Sequence, residues 1–354
     1  MELKELRNKV DSLDLKILQL LNKRAKAVKA IGKIKSLQKV QYYAPERERD
    51  ILSRVVKKNW GPLPQEAVKE IFSEILHACR GLEKRLKIAY LGPEATFTHL
   101  AAIENFGKSA DYIATKSISD VFAEVEKERT DYGVVPIENS TEGVINYTLD
   151  MFIESDLKIC AETLLEISHN LLSRNNDLKK IKRIYSHSQA FAQCRNWLED
   201  HLPNAELIET TSTAEAAQKA KKELTSAAIA SDLAARLYGL KIVASRIEDQ
   251  TDNFTRFLVI SKDFPGPSGN DKTSILFSIK DRVGALHDML VPFKKNNINL
   301  TKIESRPTKK KAWEYIFFVD FIGHLSEKNV QKALIELEEQ CLYLKILGSY
   351  PRGE

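Results

Sequence analysis

The chain has little cysteine, and what it has is scattered. Cys79, Cys160, Cys194 and Cys341 form no CxxC pair and have no histidine cluster beside them. That spacing argues against a disulfide framework and against a bound metal, and leaves thiols in a reducing compartment as the ordinary reading. No apolar run approaches the roughly 20 residues needed to span a bilayer, so no membrane partner is expected. The opening Met1-Glu2-Leu3-Lys4-Glu5-Leu6-Arg7 alternates charge with leucine and lacks the apolar core of a secretory signal. A cytoplasmic location is the expectation. Low-complexity tracts and solenoid repeats are also missing.

What is present suits two or three domains: 354 residues, 43% of them hydrophobic and 29% charged. The net charge is unevenly spread. Residues 1–84 carry 19 Lys/Arg against 11 Asp/Glu, and the remainder 35 against 38. The basic surplus belongs to the N-terminal segment, whose partner is either nucleic acid or a small anion; charge alone does not decide.

That segment is helical in pattern. Leu3, Leu6, Val10, Leu13, Ile17 and Leu20, then Ala27, Ile31 and Ile34, recur at three–four spacing without a proline. They predict one helix over about residues 3–37, roughly 50 Å long at about 1.5 Å per residue. Such a rod cannot bury its seam alone and needs shorter helices or a partner chain. Ala44-Pro45 opens a second helix, Gly61-Pro62-Leu63-Pro64 closes it, and a third runs from Gln65 to Lys84. Counting on from Leu20, the next seam position is Arg24. A permanent charge there is costly unless an anion neutralises it; the other reading is a polar position that sets coiled-coil register. Lys35 returns to nearly the same face about 16 Å further along, so the two side chains bracket room for one small dianion. Arg7 lies about 25 Å before Arg24 and is rotated by about 100°. If all three grip one ligand, Arg7 comes from another copy of the chain.

The runs Leu6-Arg7-x-x-Val10-x-x-Leu13-Asp14, Leu20-Leu21-x-x-Arg24, Gly32-Lys33-x-Lys35 and Pro45-x-Arg47-Glu48 resemble the all-helical chorismate mutases over residues 1–85. The resemblance implies an intertwined dimer in which each site borrows an arginine, here Arg7, from the partner. It implies that Arg7 and Arg24 hold the two carboxylates of chorismate and that Lys35 donates to the ether oxygen. Arg47 and Glu48 would bind the carboxylate and hydroxyl ends, and Cys79 would stand beside the substrate. Ala44 replaces an aspartate frequent in the family. Glu83 replaces a glutamine that donates to the ether oxygen, and a carboxylate donates only when protonated. The rearrangement to prephenate needs no nucleophile; clamping the reactive conformer and stabilising the ether oxygen suffice.

From Leu86 the pattern changes. Strand-like runs at Lys87–Gly92, Tyr112–Ala114, Tyr132–Ile137, Lys158–Ile167, Ile181–Ser186, Leu207–Glu209, Ala227–Ala230 and Phe257–Ser261 alternate with amphipathic stretches. That is the signature of α/β layers with largely parallel sheets. The segment is long for one sheet, so two α/β lobes with a ligand cleft between them are expected. Polar clusters follow several strands: Glu138-Asn139-Ser140-Thr141-Glu142-Gly143, Ser186-His187-Ser188-Gln189 with Gln193-Cys194 a turn later, and Thr255-Arg256-Phe257. Each alone is either helix capping or an anion site at a helix start. Together with Tyr90-Leu91-Gly92-Pro93-Glu94-x-Thr96-Phe97 they resemble prephenate dehydratase across residues 86–262. The resemblance implies that Thr255 hydrogen-bonds the leaving hydroxyl and that Arg256 binds a carboxylate or orients the cleft. Asn139, Ser140, Thr141, Ser186, His187, Gln189, Gln193 and Phe257 would line the pocket. A threonine hydroxyl is a weak acid, so the proton source stays open among Glu138, His187 and water. No cofactor is implied.

Residues 263–270, Asp-Phe-Pro-Gly-Pro-Ser-Gly-Asn, read as a linker. Residues 271–354 then read as strand Ser274–Lys280, helix Gly284–Asn296, strands Asn299–Arg306 and Trp313–Gly323, helix Ser326–Gln340 and strand Leu342–Ser349. That βαββαβ order is the ferredoxin-like α+β arrangement. Gly284-Ala285-Leu286-His287 and Glu304-Ser305-Arg306-Pro307 resemble the aromatic-amino-acid form of the ACT domain. The resemblance implies L-phenylalanine as an allosteric inhibitor, held by these residues with Asn299 and Leu300 between two chains of a dimer or tetramer. Helix-start N–H groups would face its carboxylate and Glu304 its ammonium; the other reading is a strand–helix turn without a ligand.

The three resemblances together are those of the bifunctional chorismate mutase/prephenate dehydratase (P-protein) family. Two other readings stand beside it. One is a monofunctional dehydratase whose helical arm only dimerises. The other is a regulatory protein whose basic helix contacts nucleic acid. Basic residues on the apolar seam and the lack of interleaved aromatics oppose the latter, so no nucleic-acid partner is expected.

Overall fold

A computed structural model describes residues 3–38, 41–279, 282–307 and 315–353. The chain divides into two compact units, Met1–Leu86 with Phe106–Asp111, and Lys87–Asn105 with Tyr112–Glu354.

The first unit is built on α1 (Leu3–Gln38), α2 (Pro45–Lys57) and α3 (Gln65–Glu83). Pro45 opens α2, where its missing N–H costs no helical bond. Only the C-terminal part of α1 is covered. Its one buried residue is Gly32, where an added Cβ would lie 2.9 Å from the Glu83 Cα. Upstream, the seam predicted from the heptads is bare: Val10 is 54% exposed, Ile17 54% and Leu20 64%. Because the obstacle at Gly32 is backbone, a Gly32→Ala change forces α1 and α3 apart. We expect it to cost about 1–3 kcal/mol, as overpacking does, read from denaturant unfolding followed by far-UV circular dichroism.

The second unit begins with β1 (Lys87–Leu91), α4 (Phe97–Phe106), β2 (Asp111–Thr115), α5 (Ile118–Glu126), β3 (Tyr132–Asn139), β4 (Gly143–Val144), α6 (Asn146–Glu154) and β5 (Lys158–Glu166). A second lobe follows: β6 (Asn170–Ser173), β7 (Arg183–Ser186), α7 (Ser188–Gln193), α8 (Arg195–His201), β8 (Glu206–Glu209), α9 (Thr213–Ala220), β9 (Ser226–Ala230), α10 (Asp232–Tyr238) and β10 (Lys241–Ala244). The chain then returns along β11 (Phe254–Ser261). The two sheets run β2-β1-β3-β11-β5 and β10-β6-β9-β7-β8.

The expectation of largely parallel sheets is corrected. β1 pairs parallel with β3, but β11 is antiparallel to both β3 and β5. In the second sheet β7 is parallel to β8 and β9, whereas β6 and β10 are added antiparallel. The cause is the path between lobes. The chain leaves the first sheet along β5 and comes back along β11, so outbound and inbound strands oppose one another.

The C-terminal part is β12 (Asp271–Ser278), α11 (Ala285–Lys295), β13 (Leu300–Pro307), β14 (Tyr315–Ile322), α12 (Lys328–Glu338) and β15 (Tyr343–Pro351), the expected βαββαβ order. The anticipated strand ends at Lys280 and Trp313 lie outside the described residues. The sheet order is β13-β14-β12-β15. One face, with Phe277, Phe317 and Val319, buries α11 and α12. The other, with Leu276, Phe318 and Leu347, packs on Ile137, Ile159 and Leu258 of the first α/β sheet. Among the described residues no helix is long and apolar enough to cross a membrane.

Candidate active sites

In the helical unit the polar residues gather around Lys35. Its Nζ donates to Glu83 Oε2 at 2.9 Å and to the Tyr42 carbonyl at 3.0 Å. Glu48, in the first turn of α2, accepts a two-point fork from Arg80, Nε–Oε1 3.0 Å and Nη2–Oε2 2.6 Å. Arg80 also lies over the Tyr43 ring, 4.7 Å from its centroid. Burial pushes the Glu48 carboxyl above its ordinary range, against the pull of Arg80 and Lys35. Arg24 is half-buried, and its Nη1 is buried with no hydrogen-bond partner among the described residues. An orphaned cationic donor is costly, and an anion relieves that cost.

Of the other expected members, Arg47 and Arg7 stand apart from the group around Lys35. Arg47 is 61% exposed and pairs with Asp50 of its own helix, so it stands apart from this group. Arg7 is exposed on the uncovered part of α1. Cys79 is buried on α3. Glu83 acts as an acceptor toward Lys35, so a donor role for it requires that contact to part. Arg80 was missed, because no periodicity marks a pair 32 residues apart.

His77, also on α3, is brought from 6.5 down to about 4 by burial and then by Arg80. Its Nδ1 is buried without a partner among the described residues. Unfolding restores its ordinary basicity, so the stability it contributes is complete above pH 6.5 and is lost as pH falls toward about 4. We expect the thermal midpoint of the helical unit to fall through that window. A His77→Gln chain should fall less, as scanning calorimetry across the same pH range would show.

Between the two α/β lobes lies a cavity of about 290 Å³. Asn139, at the end of β3, fixes its geometry. Its Oδ1 accepts from the backbone N–H groups of Thr141 at 3.0 Å and Glu142 at 2.9 Å. This turn leaves Nδ2 facing β11. There Nδ2 donates to Asn253 Oδ1 at 2.7 Å and to Thr255 Oγ1 at 2.8 Å. Thr255 lines the cavity, its Oγ1 is thus an acceptor toward Asn139, and its own hydrogen is not used by that bond. Asn253 Nδ2 donates in turn to Gln193 Oε1 at 3.0 Å, which also accepts from His169 Nε2 at 2.7 Å. Burial holds His169 below its ordinary range and so neutral near pH 7.

His187, Gln189, Gln193 and Phe257 line the same cavity. His187 Nδ1 accepts from the Gln189 N–H and caps α7. Among the described residues no Lys or Arg lines it. The starts of α4, at Thr96-Phe97-Thr98, and α9, at Thr211-Ser212-Thr213, line it together with Glu142, and the free N–H groups of a helix start favour an anion. His169 and Ser212 were missed as wall residues, while Asn253 and Thr96 stand in or beside the anticipated motifs without having been assigned to the wall. Asn253 directly precedes an anticipated motif, but a lone histidine after a strand carries no local signal.

Several anticipated contacts are corrected. Ser186 is fully buried and its Oγ donates to the Ile229 carbonyl at 3.0 Å, so it joins β7 to β9 instead of facing the cavity. Ser140 bridges the Asp252 carbonyl and the Phe254 N–H and serves as a latch. Thr141 is exposed at the rim. Arg256 does not reach the cavity. Successive strand residues face opposite sides, and Arg256 points away from Thr255 into a buried ion cluster. It donates to Glu162 at 2.7 Å, Asp320 at 2.6 Å, Glu138 at 3.0 Å and the Tyr350 hydroxyl at 3.0 Å. Glu138 lies on that same far side, which removes it as a proton source. Of the two roles weighed for Arg256, orienting the cleft remains.

At the C-terminal end Gly284 caps α11 with φ +77°, Ala285 is buried, and Leu286 and His287 are exposed on its first turn. Asn299 is exposed and Leu300 half-buried. β13 alternates, with Ser305 and Pro307 exposed and Glu304 and Arg306 half-buried. Arg306 is anchored on α6, donating to the Asn146 carbonyl at 2.7 Å and pairing with Asp150 at 3.2 Å. It is thereby held against α6.

Comparison with known proteins accounts for the three-part arrangement. Residues 6–84 match the family profile of chorismate mutase type II, residues 88–265 that of prephenate dehydratase, and residues 273–339 that of the ACT domain. The chain is 54% identical over 356 residues to an Aquifex aeolicus protein named bifunctional chorismate mutase/prephenate dehydratase, covering 99% of this chain and 98% of that one. It is 33% identical to the Escherichia coli K12 protein of the same name, covering 98% and 95%. The solved prephenate dehydratase of Arthrobacter aurescens in complex with L-Phe superposes with a TM-score of 0.70 at 36% identity, over 75% of this chain and 90% of that one. The chain belongs to the family of bifunctional chorismate mutase/prephenate dehydratases.

Proposed function

We propose that the chain converts chorismate to prephenate in its helical unit, prephenate to phenylpyruvate in the inter-lobe cavity, and is inhibited by L-phenylalanine through its ACT domain. The observation that carries the second step is the Asn139–Thr255 bond, which makes the hydroxyl oxygen of cavity-lining Thr255 an acceptor and leaves its hydrogen available to a substrate. With substrate carboxylates on the N–H and hydroxyl groups at the starts of α4 and α9, the ring hydroxyl would lie against Thr255. The bond from ring to carboxylate breaks, its electrons enter the ring, and the ring C–O bond breaks toward Thr255. Carbon dioxide leaves, and the departing hydroxide is neutralised by one proton taken up from the bulk solution, so that the second product is water and one proton is consumed per turnover. Aromatisation drives the step, so the protein need only orient the substrate and stabilise the departing oxygen.

For the first step, the bare seam of α1 is taken up by a second copy, whose Arg7 joins Arg24 and Lys35 around the chorismate dicarboxylate. Lys35 would leave Glu83 to meet the ether oxygen as the C–O bond breaks and the new C–C bond forms. The orphaned Arg24 Nη1 favours this over a purely dimerising arm. L-phenylalanine would bind at Gly284–His287 and the Glu304-Ser305 stretch between two copies of the ACT domain. Free cysteines and the lack of a spanning helix among the described residues fit a cytoplasmic enzyme. Turnover of chorismate and of prephenate by the purified chain, with and without L-phenylalanine, tests all three parts. Prephenate turnover without chorismate turnover would leave only the monofunctional reading.

A further inference from the structure

The ion cluster behind Thr255 belongs to two domains at once. Arg256, 7% exposed, meets Glu138 and Glu162 of the dehydratase sheet and Asp320 of β14. Lys302 of β13 donates to Glu138, and Lys272 of β12 to Glu162 at 2.8 Å. Among the described residues three cations thus balance three carboxylates, and β12, β13 and β14 of the ACT sheet each contribute one charged partner, with the Tyr350 hydroxyl added from β15. Burial opposes the charge on Glu138, but Lys302 and Arg256 together hold its carboxyl below the ordinary range.

The register places this cluster one residue from the chemistry. Thr255 stands opposite Asn139, and Arg256 stands opposite Glu138 on the same two strands. One cross-strand pair faces the cavity and the next faces the ACT sheet. The ladder is irregular just there, between Arg256 and Phe257, where a bulge re-aims side chains. A change in the Lys302–Glu138 or Asp320–Arg256 contact therefore acts on backbone that directly bears the catalytic hydroxyl and its amide partner.

We propose that Glu138 and Arg256 are positioning residues for the dehydratase step, and that Lys302 and Asp320 transmit the state of the ACT sheet to them, so that regulation acts on the placement of the Thr255 hydroxyl more than on substrate binding. The regulatory half rests on the reading of β13 as the amino-acid strand. Glu304, two residues from Lys302 on the same half-buried alternation, is the link between that ligand and the cluster.

The test uses the full-length chain and the variants Lys302→Met, Lys302→Arg and Asp320→Asn. Prephenate kcat and KM, inhibition at saturating L-phenylalanine, L-phenylalanine binding by calorimetry and chorismate turnover are measured on each. Lys302→Met is expected to lower kcat about tenfold with KM within about twofold, the split that displaced catalytic groups produce. It should still bind L-phenylalanine but lose most of its inhibition, while Lys302→Arg restores both and chorismate turnover stays at the wild-type level. Asp320→Asn should follow the same split. If it also loses chorismate turnover it has misfolded, and Lys302→Met decides. Wild-type kcat together with wild-type inhibition in Lys302→Met overturns the proposal. If the wild-type chain binds no L-phenylalanine, the β13 reading falls, and the kcat–KM split alone decides the positioning role.

Discussion

A Thr255→Val chain is expected to lose prephenate turnover by about 10²-fold or more, the usual penalty for removing an oxyanion-type donor or acid, while chorismate turnover is unchanged. Valine keeps the shape of threonine and removes only the hydroxyl, so packing beside Phe257 and Asn253 is preserved. The loss should appear in kcat, with KM nearly constant, because the hydroxyl acts on an oxygen that gains charge only as its bond breaks. A Thr255→Ser chain should keep most of the activity. Steady-state assays of both substrates on one preparation check this, and chorismate turnover reports whether the chain is folded. Full prephenate turnover in Thr255→Val would remove Thr255 from the mechanism. A rise in KM alone would make it a ground-state contact.

The same strand shows what was legible beforehand and what was not. The period of two already separates Thr255 from Arg256, so a shared role against one substrate was excluded in principle. What no local pattern supplies is what lies behind the sheet. Asp320 is 64 residues from Arg256, and their pairing depends on the ACT sheet packing on the dehydratase sheet. The heptad seam, the proline-opened α2 and the βαββαβ order were legible because each is a short-range pattern repeated over many residues. β6 and β10 were not, since four residues of ordinary composition carry no distinguishable period. The antiparallel course of β11 depends on the chain's path between lobes, which composition does not record. Among site residues, Asn139, Gln193 and Thr255 were found by motif. His169 and Arg80 were not, because their importance lies in partners 24 and 32 residues away.

The second large effect concerns the helical unit and whether its site is shared. Lys35→Ala is expected to lower chorismate turnover by about 10²–10³-fold, the cost of removing one preorganised donor to a developing charge. Arg7→Ala should do comparable damage although Arg7 lies about 25 Å from Arg24 along its own helix. Glu83→Gln should keep activity, because an amide supplies the donor directly and leaves Lys35 free of its 2.9 Å ion pair. The decisive measurement mixes the two dead chains after partial unfolding and reassociation. If each site takes Arg7 from one copy and Lys35 from the other, a mixed dimer holds one site with both defects and one site with neither. Random pairing then restores about one quarter of wild-type chorismate turnover from two inactive parents, as isologous two-fold exchange requires. If Arg7 and Lys35 serve the same copy's site, every site in every dimer carries one defect and the mixture stays inactive. Prephenate turnover should be untouched in both parents and in the mixture, since neither residue belongs to the inter-lobe cavity.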